Sequence, residues 1–423
     1  MNMQAANRST AAEAQLIEAY EAQLGELPGD GAVLGARDIL FDNLKKTGLP
    51  SRRIESWHYT DLRTLLKAIP ASVQKDAKGG APLIEGGKVI ELRQGVSIER
   101  EGPEGVSIRR YQDSLLDGSA APGLVARGAD DAIGRLNGSF VRDGYSIDVQ
   151  AATEMESPIE IQAVHAGGQS HIRLPARFGA GSRAAIIERH VNVAEADGLV
   201  SSVSELTLED DADVLWIIVQ QQGKGDTHLA QVKASLGANS RLKLFIVNAG
   251  GKLVRQEIHV VTAGEGADFT LRGVNLLGGD SHTDITMTLG HDVPHTTSTE
   301  IIRNVVFDKA RGVFQGQIRV APDAQKTDAR MACNTLLMSD DAEFSVKPEL
   351  EIFADDVQCA HGATVADILK THLYYLMSRG IPEKKARGLL INAFVAEIVE
   401  ELEDEALVEA LEGVISNWLE HHG

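Results

Sequence analysis

"ADVLWIIVQQQG" (residues 212–223), "SRLKLFIVNAGG" (240–251) and "ADFTLRGVNLLGG" (267–279) read as three versions of one phrase. Each opens on a small–polar pair, Ala212-Asp213, Ser240-Arg241 or Ala267-Asp268, and runs through an apolar stretch. Each closes on amide or glycine residues suited to a turn. The same kind of opening stands at Ser182-Arg183, Ser281-His282, Ala310-Arg311 and Ala342-Glu343. Counted in residues, the successive gaps are about 30, 28, 27, 14, 29 and 32. A repeat near 28 that divides into halves near 14 predicts the coils of a β-solenoid. Each coil is too thin to bury its own face, and stacking supplies the core. A sandwich or barrel with evenly spaced turns is the alternative. A doubly wound sheet is disfavoured, because 12-residue amphipathic helices are scarce between these runs.

The texture changes at both ends. Residues 1–75 are helical in pattern: Leu16, Ile17, Tyr20 and Leu24 recur at helical spacing, a second helix ends near Gly48-Leu49-Pro50, and a short third follows around Tyr59–Lys67. Residues 76–365 form the β-rich core. Residues 366–423 are helical again, with Gly380 suited to a left-handed cap and Pro382 opening the next helix. Leu389, Leu390, Ala393, Phe394, Ala396, Ile398 and Val399 give that helix a broad apolar face. Helices with so much apolar surface are expected to cover the solenoid end or to bind a partner.

The 423-residue chain carries a formal charge of −20, which repels phosphate backbones and argues against nucleic-acid binding. No apolar run reaches the roughly 20 residues that a membrane-spanning helix needs. The polar N-terminus has no signal core, so a cytoplasmic location with reduced thiols is expected. There is no P-loop: "EGGKV" and "AGGKL" lack both the upstream glycine and the following hydroxyl. His291 and His295 in "HDVPH" have zinc-helix spacing, but Pro294 breaks any helix there. "EDDAD" (209–213) reads as a solvated turn. A solenoid enzyme acting on carbohydrate is the catalytic alternative, although nothing marks its cluster of carboxylates.

One segment carries candidate chemistry. In "DDVQCAHGAT" (355–364), Val357, Cys359 and His361 share one face of an extended strand, and Gly362 permits a turn or close approach. Thiolate and imidazole suit zinc, iron or copper, but a stable site needs about four ligands. Cys333 is a candidate third, and a second chain is the other source. The residues alone leave open a plain reading, in which Cys359 is a small buried hydrophobe and His361 is hydrogen-bonded at the strand end.

"QKTDARMACNTLLMSDDAEFSVKPELEIFADDVQCAHGATV" (325–365) and "LYYLMSRGIPEKKARGLLINAFVAEIVEEL" (373–402) resemble the C-terminal parts of the SufB/SufD family, and "RRIESWHYTDLR" (52–63) is similar to the SufD N-terminal signature. The resemblance implies a right-handed parallel β-helix flanked by helical segments, mainly β overall. It also implies a scaffold subunit of the SUF iron–sulfur assembly machine, with no turnover of its own. The absence of any cysteine before Cys333 removes the sulfur-accepting role of SufB and favours the SufD branch. The implied partners are SufB, through the β-helix, and the SufC ATPase, through C-terminal helices around Tyr374, Arg379, Gly380, Ala386 and Phe394. The implied ligand to a transient iron–sulfur cluster is His361, with Cys359 beside it. The family is also associated with a reduced flavin, for which no residues mark a site. An unpaired strand edge favours self-pairing when SufB is absent.

Overall fold

The structure, a computed structural model, describes residues 9–71 and 77–422. The chain starts with three helices: α1 (Ala11–Ala22), α2 (Gly31–Thr47) and the single turn α3 (Leu62–Leu65). Thr10 and Glu13 form a capping box at α1. Glu13 also accepts the Leu49 amide at 2.8 Å, so one side chain ties the start of α1 to the end of α2. Next come β1 (Lys88–Arg93), β2 (Val96–Ser97), β3 (Val106–Arg110), α4 (Tyr111–Leu116), α5 (Ala132–Phe140) and β4 (Asp143–Val149). The two helices here interrupt a region that the sequence pattern assigns wholly to the β core. The expected boundary at 75/76 falls at residues 72–76, outside the described ones.

From there the chain winds as β5 (Ile159–His165), β6 (Gly168–Phe178), β7 (Arg183–Asn192), β8 (Gly198–Leu208), β9 (Asp213–Gln221) and β10 (Thr227–Leu236). It continues through β11 (Arg241–Asn248), β12 (Leu253–Thr262), β13 (Asp268–Leu277), β14 (His282–His291) and β15 (Thr297–Val306). The last coils are β16 (Arg311–Val320), β17 (Asp328–Leu337), β18 (Glu343–Ile352) and β19 (Gln358–Ala366). Three helices close the chain: α6 (Lys370–Ser378), α7 (Glu383–Val399) and α8 (Glu405–His422).

The odd strands from β5 to β19 pair in parallel in one sheet, and the even strands from β4 to β18 in the other. Each coil is therefore one odd and one even strand. Thr227 pairs with Leu253 and Arg311 with Glu343, so partners in a ladder stand one coil apart and the expected period holds. The odd gap of half a period falls where the opening pairs move from the start of β13, in one sheet, to the start of β14, in the other. Between the sheets lies the core, which includes Trp216, Leu244, Phe269 and Phe314. Running through it is a polar column in continuous register: His190, Gln220, Asn248, Asn275, Asn304 and Thr335. Asn248 donates to Asn275 at 2.8 Å, Asn275 to Asn304 at 2.7 Å, and Asn304 to Thr335 Oγ1 at 3.0 Å. A buried amide costs free energy unless it is bonded, and stacking links these side chains from Asn248 to Thr335, whereas His190 Nδ1, Gln220 Oε1 and Asn248 Oδ1 are buried without a partner.

The helices cover the two outer faces, not the solenoid end. α7 and α8 lie on the odd sheet, against Ile217, Val219, Phe245 and Val274. The buried side of α7 is Ala386, Ile391, Val395, Ile398 and Val399; Leu389, expected inside, is exposed. Arg272 pairs with Glu401 at 2.6 Å and Arg303 with Glu397 at 2.5 Å, fixing this layer to β13 and β15. The N-terminal helices cover the even sheet, where Trp57 is fully buried. The Arg255 guanidinium lies 3.8 Å from the Trp57 ring centroid and pairs with Asp284 at 2.5 Å and Glu257 at 3.0 Å. Thr60 reaches Asp284 and His282 in the same cluster. Trp57 and Thr60 thus clasp the N-terminal region to the sheet.

The two ends differ. Upstream, each sheet stops at a short antiparallel strand, β2 or β3, and Ile90 and Leu92 on β1 are fully buried. Downstream, β18 and β19 are full-length parallel strands with an unpaired edge, and no residue of either is buried.

Candidate functional site

The downstream end carries the Cys-x-His segment. β19 is set on β17 with Ala329 opposite Cys359, Met331 opposite His361 and Cys333 opposite Ala363. Ala329, Met331 and Cys333 belong to the inner core, so parity places Cys359 and His361 on the inward face, as alternation predicts. No further coil covers them: Cys359 is half-buried against the core edge and His361 is exposed. Phe344, Val346 and Leu350 of β18 close the other side of this mouth, half-buried. The turn before β19 is held by the Gln358 amide on Thr327 O (2.9 Å), the Asp356 amide on Gln325 (2.9 Å) and an ion pair between Lys326 and Asp356. Gly362 sits mid-strand, and a Cβ there would meet open space, so the chain itself does not require glycine at that position.

Burial raises the Cys359 thiol above its ordinary range. Cys333 lies deeper, 1% exposed, and burial pushes it up to about 12; Asn304 donates to its Sγ at 3.3 Å. It is therefore a packed thiol, four positions along the ladder from the level of Cys359. Among the described residues, no three His, Cys, Asp or Glu side chains are arranged to hold a metal ion. The mouth in one chain offers two such donors, fewer than a stable site needs. His291 and His295 do not converge: His291 is buried on Thr296 (2.7 Å) and Ser298 (3.2 Å), and His295 is exposed in a turn.

Two residues behind the mouth escape the motif reading. Met331 stands one coil before His361, so the period itself could have found it. Glu300 stands one coil deeper in the same column, fully buried, with no hydrogen-bond partner at either oxygen. Burial, partly offset by the nearby Ser298 hydroxyl and Arg272, pushes its carboxyl up to about 8.

Ile352 and Phe353, at the turn before β19, are exposed apolar residues, as are Val365 and Leu369 at and beyond its far end and Tyr374 and Tyr375 of α6. Only Leu373 of that helix is buried, and Tyr374 is 64% exposed. Arg379 lies over the Tyr375 ring, and Gly380 takes the left-handed conformation (φ 83°) that ends the turn. Ala386 is fully buried, and Phe394 is half-buried under Arg303, 4.6 Å from the ring centroid. These two can shape a docking surface only from beneath.

Comparison with known proteins gives this architecture its kin. Residues 162–394 match the family described as "SUF system FeS cluster assembly, SufBD core domain". An iron–sulfur cluster assembly SufBD family protein of Synechocystis is 27% identical over 406 residues, covering 88% of each chain. The iron–sulfur cluster assembly protein SufD of Escherichia coli is 28% identical over 385 residues, 87% of this chain and 88% of its own. The chloroplastic protein ABCI7 of Arabidopsis thaliana is 27% identical over 424 residues, 93% and 88%. The family match runs from within β5 through β19 and reaches into α7, across the mouth and the exposed α6: this chain belongs to the SufBD family of the SUF iron–sulfur cluster assembly system.

Proposed function

We propose that this chain is a scaffold subunit without turnover of its own. Its open solenoid end pairs with a SufB-type paralogue, its C-terminal helices dock a SufC-type ATPase, and His361, with Cys359 beside it, offers ligands to a cluster growing in the seam. The observation that carries this reading is the contrast between the ends. A solenoid whose upstream edges are blunted and whose downstream coil keeps unpaired strands around a histidine is built to be completed by another chain. The cluster is cargo, and the partner supplies the ligands that one mouth lacks. A neutral imidazole adds no charge to the cluster and leaves on protonation more readily than a thiolate, which suits a cluster that must be handed on. Movement of the ATPase subunits is passed to β15 through α7 by the Arg303–Glu397 pair, and to β13 through the turn after α7 by the Arg272–Glu401 pair.

Co-expression with the paralogue and the ATPase, co-purification, and anaerobic iron and sulfide analysis test this. The expected result is a three-component complex that accumulates cluster, and a His361→Ala complex that assembles but accumulates little. Normal cluster yield from His361→Ala would leave the chain a recruiting partner without a ligand role, and failure to co-purify would refute the pairing.

A further inference from the structure

We propose that the solenoid mouth is a Cu(I) site in which the thioether of Met331 joins Cys359 and His361 as a third protein ligand. The proposal rests on reading the mouth as a metal-facing surface, but it requires no partner chain.

Met331 is the in-register neighbour of His361, one strand spacing of about 4.8 Å away, and Cys359 lies two positions along the same inward face. All three therefore project into one end of the lumen. Met331 is 3% exposed, and its sulfur lies over Gly316 of the opposite sheet, where a Cβ would collide with Sδ. The glycine leaves the thioether room in the lumen. Methionine's three side-chain torsions let the sulfur turn toward the mouth without moving the strand.

The surroundings select the ion. No inward residue of β16, β17, β18 or β19 is a carboxylate. The mouth is open to solvent at His361, so the donor set decides: without a carboxylate it offers little to a hard divalent ion. Cu(I) with one thiolate is neutral, and thioether, thiolate and imidazole are soft enough for it. As the S–Cu bond forms, the Cys359 thiol gives its proton to solvent, and no electron moves.

The test uses the full chain alone, without oxygen, titrated with Cu(I) against a chromophoric competing chelator. One equivalent is expected to bind. Met331→Leu, which conserves volume, is expected to weaken it by about tenfold or more, and His361→Ala at least as much. X-ray absorption should show two sulfur scatterers in the wild type and one in Met331→Leu. Chain labelled with selenomethionine keeps the native fold and should show a Cu–Se path. Unchanged affinity in Met331→Leu, no Cu–Se path, or binding lost only in Cys333→Ser would overturn the assignment. Pairing and iron loading are not measured here, so this result and that of the co-purification can fail separately.

Discussion

Replacing Glu300 by glutamine should remove a pH dependence that burial has built into the solenoid. The carboxyl is fully buried without a hydrogen-bond partner and rises from its ordinary 4.5 to about 8. The folded chain therefore keeps a proton that the unfolded chain has already released. Between these two values the native state binds more protons, so stability is complete below pH 4.5 and falls as pH rises toward 8. The slope is about 1.4 kcal/mol per pH unit while the window lasts. From pH 5 to pH 8 the loss is about 3 kcal/mol. Glutamine fills nearly the same volume and cannot ionise, so Glu300→Gln keeps its stability over this interval. Urea unfolding of both proteins at pH 5, 6, 7 and 8 reads the difference. All other titrating groups, including buried His165 and His291, are common to the pair and cancel. The two proteins should be nearly matched at pH 5, with the variant ahead by about 3 kcal/mol at pH 8. Parallel curves would show that Glu300 finds a partner or water in solution, and the reasoning would fail.

Asn275→Leu breaks the interior column at its middle. It leaves an Asn248 donor and an Asn304 acceptor buried without partners, so a loss of about 2–4 kcal/mol is expected in urea unfolding. Arg255→Met strands Asp284 and Glu257 beneath the N-terminal clasp, at a cost of about 3–5 kcal/mol. Limited proteolysis should then cut within residues 51–71 before it touches the coils. Phe353→Asp places a charge on exposed apolar surface beside the mouth. Its melting temperature should stay within a degree or two of wild type, about 0.5 kcal/mol, while co-purification with the paralogue collapses. Retained pairing would move the interface elsewhere.

The coil period is readable because each turn of chain must pass the same point in each sheet, and the half-period gap marks the change from β13 to β14. The inward aspect of Cys359 and His361 follows from alternation alone. Helices α4 and α5 escape the pattern because they are short; in α5 only Ile133, Leu136 and Phe140 recur at helical spacing, and its polar residues are buried with them. The clasp is only half visible: Trp57 stands out as a motif, whereas Arg255 and Asp284 are ordinary charged residues until the fold sets them beneath it. The apolar run in α7 points Leu389 inward, but helix rotation is fixed by the sheet it meets, and the strands of that sheet lie far upstream in the chain. That the last coil has no cover is a statement about neighbours in space, and local sequence does not contain it.

The blunted upstream edge also limits how far such chains can join. If the downstream end pairs as proposed, the subunit is monofunctional in polymer terms, with one reactive terminus and one inert one. Molecules of that kind couple once and stop, whereas a rod sticky at both tips would string into fibres. Lengthening β3 by a few residues and removing its antiparallel pairing would convert a self-terminating unit into a fibre-forming one.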